Sequence, residues 1–261
     1  MPPTILDHRL AFPDPRGAAK DGLVAIGGDL SVERLLLAYR SGIFPWTVNP
    51  ISWWSPNPRG IFELENFHVP RRLAQTLRKC VHQPTPSSSK EGSTELRLVP
   101  LLGGVRGGFI SNSKSVKDSF VVTRDRAFRQ VMEGCAAPAR GRGQTWISPE
   151  FITAYTRLHE AGHAHSVECW RGEELVGGIY GVSVGGLFAG ESMFHRADNA
   201  SKITLVHLIE HLCERGFVLF DLQMVTTATD ALGAVKIPRA EYLTRLAKAV
   251  ELKCEFGGVA D

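Results

Sequence analysis

No run of about 18 consecutive apolar residues occurs in the 261-residue sequence, so it offers no membrane-spanning helix. Its opening, MPPTILDHRLAFPDP, has no basic stretch leading into an apolar one, and no secretory signal is expected there. Cysteine is scarce. The five residues Cys80, Cys135, Cys169, Cys213 and Cys254 are odd in number, widely spaced and never form a C-x-x-C pair. Neither a disulfide framework nor a zinc ribbon fits that spacing, and reduced thiols in a cytoplasmic protein are expected. A Walker A loop and a G-x-G-x-x-G fingerprint are also missing, which leaves nucleotide hydrolysis and dinucleotide binding unsupported. Serine-nucleophile catalysis is not expected either.

Hydrophobic residues make up 43% and charged residues 22% of the chain, the balance of a globular protein with a sizeable core. The net charge of +3 is unevenly spread. Residues 70–146 hold 14 Lys and Arg against 5 Asp and Glu, a local +9 that leaves −6 for the remainder. A polyanionic partner favours such a stretch, because neutralising phosphates supplies affinity that does not depend on sequence. A merely solvated basic face reads equally well from charge alone.

Residues 29–42 read as a short helix, capped by Ser31 and closed by Ser41-Gly42, with Leu35, Leu36 and Tyr39 on one face. GIFPWTVNPISWWSPNPRG follows, where repeated prolines argue against regular structure while three tryptophans crowd together. A boundary near residue 60 is expected, with a small N-terminal domain at 1–60 and a larger one at 61–261. Pro70-Arg71-Arg72 opens a basic helix to about Lys79, and residues 82–118, rich in Pro, Ser and Gly, read as a mostly disordered insertion. Beyond it come the strand DSFVVT, a helix from Arg124 to Ala136, and a helix started by Ser148-Pro149-Glu150 and stopped at Gly162. AHSVECW, ELVGGIYGVSV and GLFAGESMF form an antiparallel meander. A helix striped by Leu205, Leu208, Ile209 and Leu212, the strand FVLFD and a helix after Pro238 complete an α+β arrangement.

His159-Glu160-Ala161-Gly162-His163 matches the H-E-x-x-H pattern of zinc proteases. The second histidine follows Gly162, where the helix should end, so a helix C-cap is the better reading. Chemistry is sought instead in Trp46, Trp53, Trp54 and Trp146, in the run Gly190-Glu191-Ser192-Met193-Phe194, and in Asp221-x-Gln223 at a strand end. Exposed tryptophans stack bases, while buried ones fill core. Residues two apart on a strand point the same way, so Asp221 and Gln223 are placed to face one reacting group.

DGLVAIGGDLSVERLLLAYRSGIFPW, WWSPNPRG, TWIS, AYTRLHEAGHAHSVECW, ELVGGIYGV, LFAGESMF, NASK, FDLQ and LGAVKIPRAEYL together resemble the leucyl/phenylalanyl-tRNA–protein transferase family. The likeness covers nearly the whole chain outside 82–118. It implies a small N-terminal domain joined to a C-terminal acetyltransferase-like (GNAT-like) domain, with no metal and no cofactor. It also implies transfer of Leu, Phe and less readily Met from aminoacyl-tRNA to proteins beginning with Arg or Lys, marking them for N-degron degradation. A cytoplasmic monomer without membrane association is expected.

By the same resemblance, Trp46 and Trp146 hold the terminal adenosine of the tRNA, with Tyr39 and Tyr155 beside them. Ile179, Phe188 and Met193 line the pocket for the aminoacyl side chain, and a pocket that discriminates by about 1–3 kcal/mol per methylene leaks to Met. Asp221 and Gln223 match the catalytic pair, with Asp221 expected to accept or relay the amine's proton or else to position the cationic N-terminus. Glu191 lies beside the substrate and is a candidate acidic subsite. VTTATDALGAVKIPR departs from the family pattern, with Lys236 where an acid is usual. Two rival readings stand beside this one: a module that binds charged tRNA without catalysis, and acetyl transfer from coenzyme A, for which a glycine-rich pyrophosphate loop is missing.

Arg71, Arg72, Arg78 and Lys79 are assigned to the tRNA acceptor stem. If all four meet phosphates, log K for charged tRNA should fall with log salt at a slope of roughly −3 to −4. Filter binding between low and physiological salt measures this, and a flat response removes the assignment.

Overall fold

The runs AHSVECW, ELVGGIYGVSV and GLFAGESMF pair antiparallel at the centre of a sheet, the meander the sequence led us to expect. The computed structural model describes residues 4–67, 69–82, 119–138 and 145–257. Strands β1 (Thr4–Leu6), β2 (Leu23–Gly27), β3 (Phe44–Val48) and β4 (Ile51–Trp54) form a four-stranded sheet in the order β1-β2-β4-β3, with helix α1 (Val32–Arg40) between β2 and β3. A second sheet holds β5 (Arg59–Phe62), β6 (Val81–His82), β7 (Phe120–Arg124), β8 (Ala164–Arg171), β9 (Glu174–Val184), β10 (Leu187–His195), β11 (Leu219–Gln223) and β12 (Val235–Ile237). Its order is β12-β5-β11-β10-β9-β8-β7-β6. The helices beyond α1 are α2 (Arg71–Cys80), α3 (Phe128–Ala136), α4 (Pro149–Glu160), α5 (Ala200–Glu214), α6 (Thr227–Asp230) and α7 (Arg239–Ala249). This is a mixed α+β architecture, and no described helix is long and apolar enough to cross a membrane.

Two apolar clusters lie against the large sheet. One joins Leu35, Tyr39 and Trp53 from the first sixty residues to Phe151, Tyr155, Tyr180 and Tyr242; the other packs Ile179, Phe188 and Phe220 with Leu208, Leu212 and Phe256. Helix α5 is buried nearly all round, including Ser201, Thr204 and His207, as a helix apolar on several faces must be. The four-stranded sheet ends at Trp54, and β5 already belongs to the large sheet.

Three local expectations need correction. The proline-rich segment is not irregular: β3 and β4 pair antiparallel from Phe44↔Trp54 to Val48↔Ile51. Pro45 sits beside the register shift between Pro45 and Thr47, where a strand tolerates a residue without an N–H. The helix expected from Arg124 starts only at Phe128, because Arg124 closes β7 and Asp125 takes the left-handed φ of 55°. Ser148 stands at the N-cap of α4, but its hydroxyl donates to Glu150 instead of accepting from the helix backbone.

Other signals held. Ser31 accepts from the Arg34 N–H at the start of α1, and α4 ends before Gly162, whose φ of 80° favours glycine. The insertion expected at 82–118 lies, except for His82, outside the described residues.

The feature that positions the site is a change of pairing. β10 and β11 run parallel only from Leu187↔Leu219 to Ala189↔Asp221, and then part. β11 stays paired with β5 as far as Gln223↔Gly60, where a Cβ on Gly60 would lie 2.7 Å from the carbonyl carbon of Met224. Only glycine permits that approach. The parting leaves the ends of β10 and β11, carrying Glu191 and Gln223, facing one another.

Candidate active site

Asp221 occupies the last paired position of β11 against β10, and its carboxylate is 1% exposed. Its oxygens are fully occupied. Oδ1 accepts from Arg59 Nε at 2.8 Å and from the backbone N–H of Gln223 at 2.8 Å; Oδ2 accepts from Arg59 Nη2 at 2.6 Å and from the Tyr242 hydroxyl at 2.8 Å. A carboxylate offers about four lone-pair directions, so four donors leave none for an incoming amine. Of the two roles open to Asp221, taking the amine's proton and positioning, these contacts favour positioning.

Gln223 is what Asp221 holds most directly. Its backbone adopts a φ of 62°, unusual for glutamine, and its side-chain amide donates to Glu191 Oε1 at 2.7 Å. The alternation expected of a regular strand is broken at this point by a register shift between Asp221 and Gln223. Tyr39 donates to the same Glu191 oxygen at 2.8 Å, and Tyr39 and Tyr155 share a short hydroxyl–hydroxyl hydrogen bond. Since Tyr39 spends its proton on Glu191, Tyr155 donates to Tyr39. α1, α4, β10 and β11 thus each contribute one side chain to a single hydrogen-bonded chain.

Glu191 Oε2 is buried and has no hydrogen-bond partner, and the same holds for the Tyr180 hydroxyl. Buried polar atoms in native proteins are normally paired, so an orphan calls for an explanation such as a bound group. Burial pushes the Glu191 carboxyl up to about 8; the charge of Asp221 adds to this, while Tyr39, Arg59 and Gln223 pull against it. Burial, then the charge of Glu191, likewise raises the tyrosines at 39, 155 and 180 well above the ordinary phenol value.

The remaining expected residues are distributed around this chain. Trp46 is half-buried and meets Trp54 edge-on at 5.6 Å; Trp146, also half-buried, meets Phe151 edge-on at 5.2 Å. Both pack at the rim of the cluster that contains Tyr39 and Tyr155. Trp53 is fully buried and donates to Gly27 O, so it is core. Ile179 and Met193 are cross-strand partners, and Met193 lines a cavity of about 100 Å³ with His195, Ser201, Lys202, Ala228 and Leu232. Phe188 is enclosed by Phe217, Phe220 and Phe256 and is 1% exposed. A larger depression of about 300 Å³ beside Arg16 and Arg40 lies between the N-terminal segment and α7, and contains none of these groups.

Arg71 and Arg78 are exposed on α2, and the side chains of Arg72 and Lys79 lie outside the described residues. His159 stacks on Phe128 and bonds through Nδ1 to Ala164 O, while His163 lies beyond the helix end; among the described residues no three His, Cys, Asp or Glu are placed to hold a metal. Gly181-Val182-Ser183-Val184-Gly185 does have G-x-S-x-G spacing, but Ser183 sits inside β9 rather than on a strand-to-helix turn. Sequence reasoning missed Arg59, Tyr180 and Tyr242. Arg59 is the last residue but one of the quoted run WWSPNPRG, and nothing local to it signals a carboxylate partner 162 residues away.

The raised Glu191 value has a measurable consequence. Because the folded carboxyl holds its proton above the unfolded value of about 4.5, the folded state binds more protons between pH 4.5 and 8, and stability falls as pH rises through that window. Glu191→Gln should flatten this slope and gain on the order of 1–3 kcal/mol at pH 8.5, read by denaturant unfolding across pH. An unchanged slope removes the buried-acid description.

Comparison with known proteins agrees with the architecture. The leucyl/phenylalanyl-tRNA protein transferase model matches residues 110–247, and the N-terminal domain model of the same transferase matches residues 28–57. A leucyl/phenylalanyl-tRNA–protein transferase of Nitratidesulfovibrio vulgaris (strain DP4) is 43% identical over 254 residues, covering 96% of this chain and 92% of its own length. That of Anaeromyxobacter sp. (strain Fw109-5) is 44% identical over 249 residues, covering 94% and 90%. A solved C-terminal DUF2156 domain of a putative lysylphosphatidylglycerol synthetase from Agrobacterium fabrum is 12% identical, covers 83% of this chain and 56% of that one, and has a TM-score of 0.33, too low to support an inference. With such identity across almost its entire length, this chain belongs to the leucyl/phenylalanyl-tRNA–protein transferase family.

Proposed function

We propose that this protein transfers leucine or phenylalanine, and less readily methionine, from aminoacyl-tRNA to proteins that begin with Arg or Lys. One observation carries the mechanism: the unpartnered, buried Glu191 Oε2 at the parting of β10 and β11. An α-amine approaching the aminoacyl ester needs an acceptor for the proton it loses on attack. Glu191 accepts it in its ionised form, and because its value of about 8 lies close to that of an ordinary α-amine, the proton moves with little free-energy difference.

In the reaction the amine nitrogen bonds to the ester carbonyl carbon and the bond from that carbon to the ribose oxygen breaks. The amine's proton passes to Glu191 and then to the leaving oxygen. Gln223 and Tyr39, both donating to Oε1, hold the carboxyl so that Oε2 faces the amine. Asp221 serves by positioning. The ionised form of Glu191, present before it takes the proton, also attracts a cationic first residue, which supports the Arg or Lys preference.

Trp46 and Trp146 suit the terminal adenosine, being half-buried aromatics at the rim of the cluster that holds the tyrosines. The cavity beside Met193, with Ile179 adjacent, suits an unbranched or flat apolar side chain, and Phe188 supports it from the core. Exposed Arg71 and Arg78 on α2 suit the acceptor stem. We read residues 1–60 and 61–261 as two domains, the larger acetyltransferase-like; the parallel β10–α5–β11 unit with its parted strands supports this. We read the protein as a cytoplasmic monomer; among the described residues the four cysteines are free thiols, which suits the cytoplasm.

Radiolabelled leucine offered as Leu-tRNA to a protein starting with Arg, beside the same protein starting with Ala, tests the reading. Transfer to the Arg substrate alone is expected, with Glu191→Gln reducing kcat by about 10²-fold or more. Tight binding of charged tRNA without transfer to either protein identifies a binding module instead.

A further inference from the structure

Arg59 is 1% exposed, and its guanidinium has contacts on every side. Nε and Nη2 form a two-pronged ion pair with Asp221, Nη1 donates to Gly42 O at 3.1 Å, and the plane lies 5.0 Å from the Phe44 ring centre and 4.4 Å from that of Tyr242. Burial alone would lower its proton affinity, but the charge of Asp221 more than restores it, so the group stays cationic. A planar fork between two rings has one orientation, which a flexible ammonium lacks.

What this fork reaches matters more than its own burial. Asp221 Oδ1 is shared between Arg59 Nε and the Gln223 N–H, so any shift of the guanidinium moves the carboxylate that pins Gln223 in its left-handed turn. The Gln223 amide in turn holds Glu191 Oε1. At the other end, the Gly42 carbonyl that accepts from Nη1 lies three residues after Tyr39, the second donor to Glu191. The bonded route from Arg59 to Glu191 therefore runs through Asp221 and Gln223, while Gly42 anchors the turn after the helix of Tyr39.

We infer that Arg59 is a positioning residue of the transfer reaction, acting through Asp221 and Gln223 to hold Glu191 against the incoming amine. The inference rests on the proposed function and adds to it the residue that aligns the site. Arg59 touches no substrate. Its loss should therefore lower turnover while leaving the affinity for charged tRNA intact.

Arg59→Lys keeps the charge but replaces the fork with one ammonium. In leucine transfer to the Arg-starting protein, kcat should fall about 10- to 100-fold, with KM for Leu-tRNA within about threefold of the parent and cooperative melting retained. A folded Arg59→Lys enzyme with the parent's kcat overturns the inference, as does a fall confined to KM. Should that variant not fold, the neutral pair Arg59→Gln with Asp221→Asn is compared with Asp221→Asn alone, since a buried ion pair replaced as a unit is tolerated better than one broken. Equal kcat in the two supports action through Asp221; a further tenfold fall overturns it. The parent enzyme is the control, because its failure to transfer leucine would remove the proposed function itself, whereas a functioning parent with an indifferent Arg59→Lys removes only this inference.

Discussion

A carboxylate and a guanidinium placed where water cannot reach survive only when each supplies the other's missing solvation, and Arg59 with Asp221 meets that condition. Breaking such a pair by removing one partner costs about 3–5 kcal/mol, because the survivor is left charged and dry. The cost constrains the rest of the molecule. β5 must run beside β11, the turn after α1 must present the Gly42 carbonyl, and Tyr242 on α7 must lie over the guanidinium. Four elements from opposite ends of the sequence are held in register by one ion pair.

That pair explains a division of labour between two acids. Asp221 is saturated with donors, whereas Glu191 has both its hydrogen bonds on one oxygen and none on the other. A saturated carboxylate makes a good anchor and a poor base. A half-satisfied one, whose value burial raises to about 8, has ionised and protonated forms close in free energy and is poised to exchange a proton with an amine. The tyrosines at 39, 155 and 180 extend the same logic, since burial first, and the ionised form of Glu191 next, keep all three phenols neutral.

Much of the fold was legible because its signals are local. Strand-like runs between short polar or glycine turns marked β8, β9 and β10, Gly162 marked the end of α4, and one apolar stripe marked α5, which is in fact buried nearly all round. The β3–β4 hairpin was not legible, since Pro45 and Pro50 read as breakers until the register shift that accommodates Pro45 is seen. Glu191 and Gln223 stood out as candidate residues in their local runs, and Tyr39 and Tyr155 only through family resemblance; that the four form one hydrogen-bonded chain was not legible. Nor was the role of Asp221. Spacing put Asp221 and Gln223 on one face of a strand, but the bulge between them turns the aspartate toward Arg59 and the glutamine toward Glu191. No pattern in a sequence connects an arginine after a proline-rich run to an aspartate 162 residues later.

The most direct measurement is a crystal structure of the enzyme with a non-hydrolysable aminoacyl-adenosine amide and a short peptide beginning with Arg. The peptide's α-amine should lie about 3 Å from Glu191 Oε2, with the Arg59 fork still closed on Asp221. An amine bonded to Asp221, with Arg59 displaced, would contradict the account and return the role of proton acceptor to Asp221.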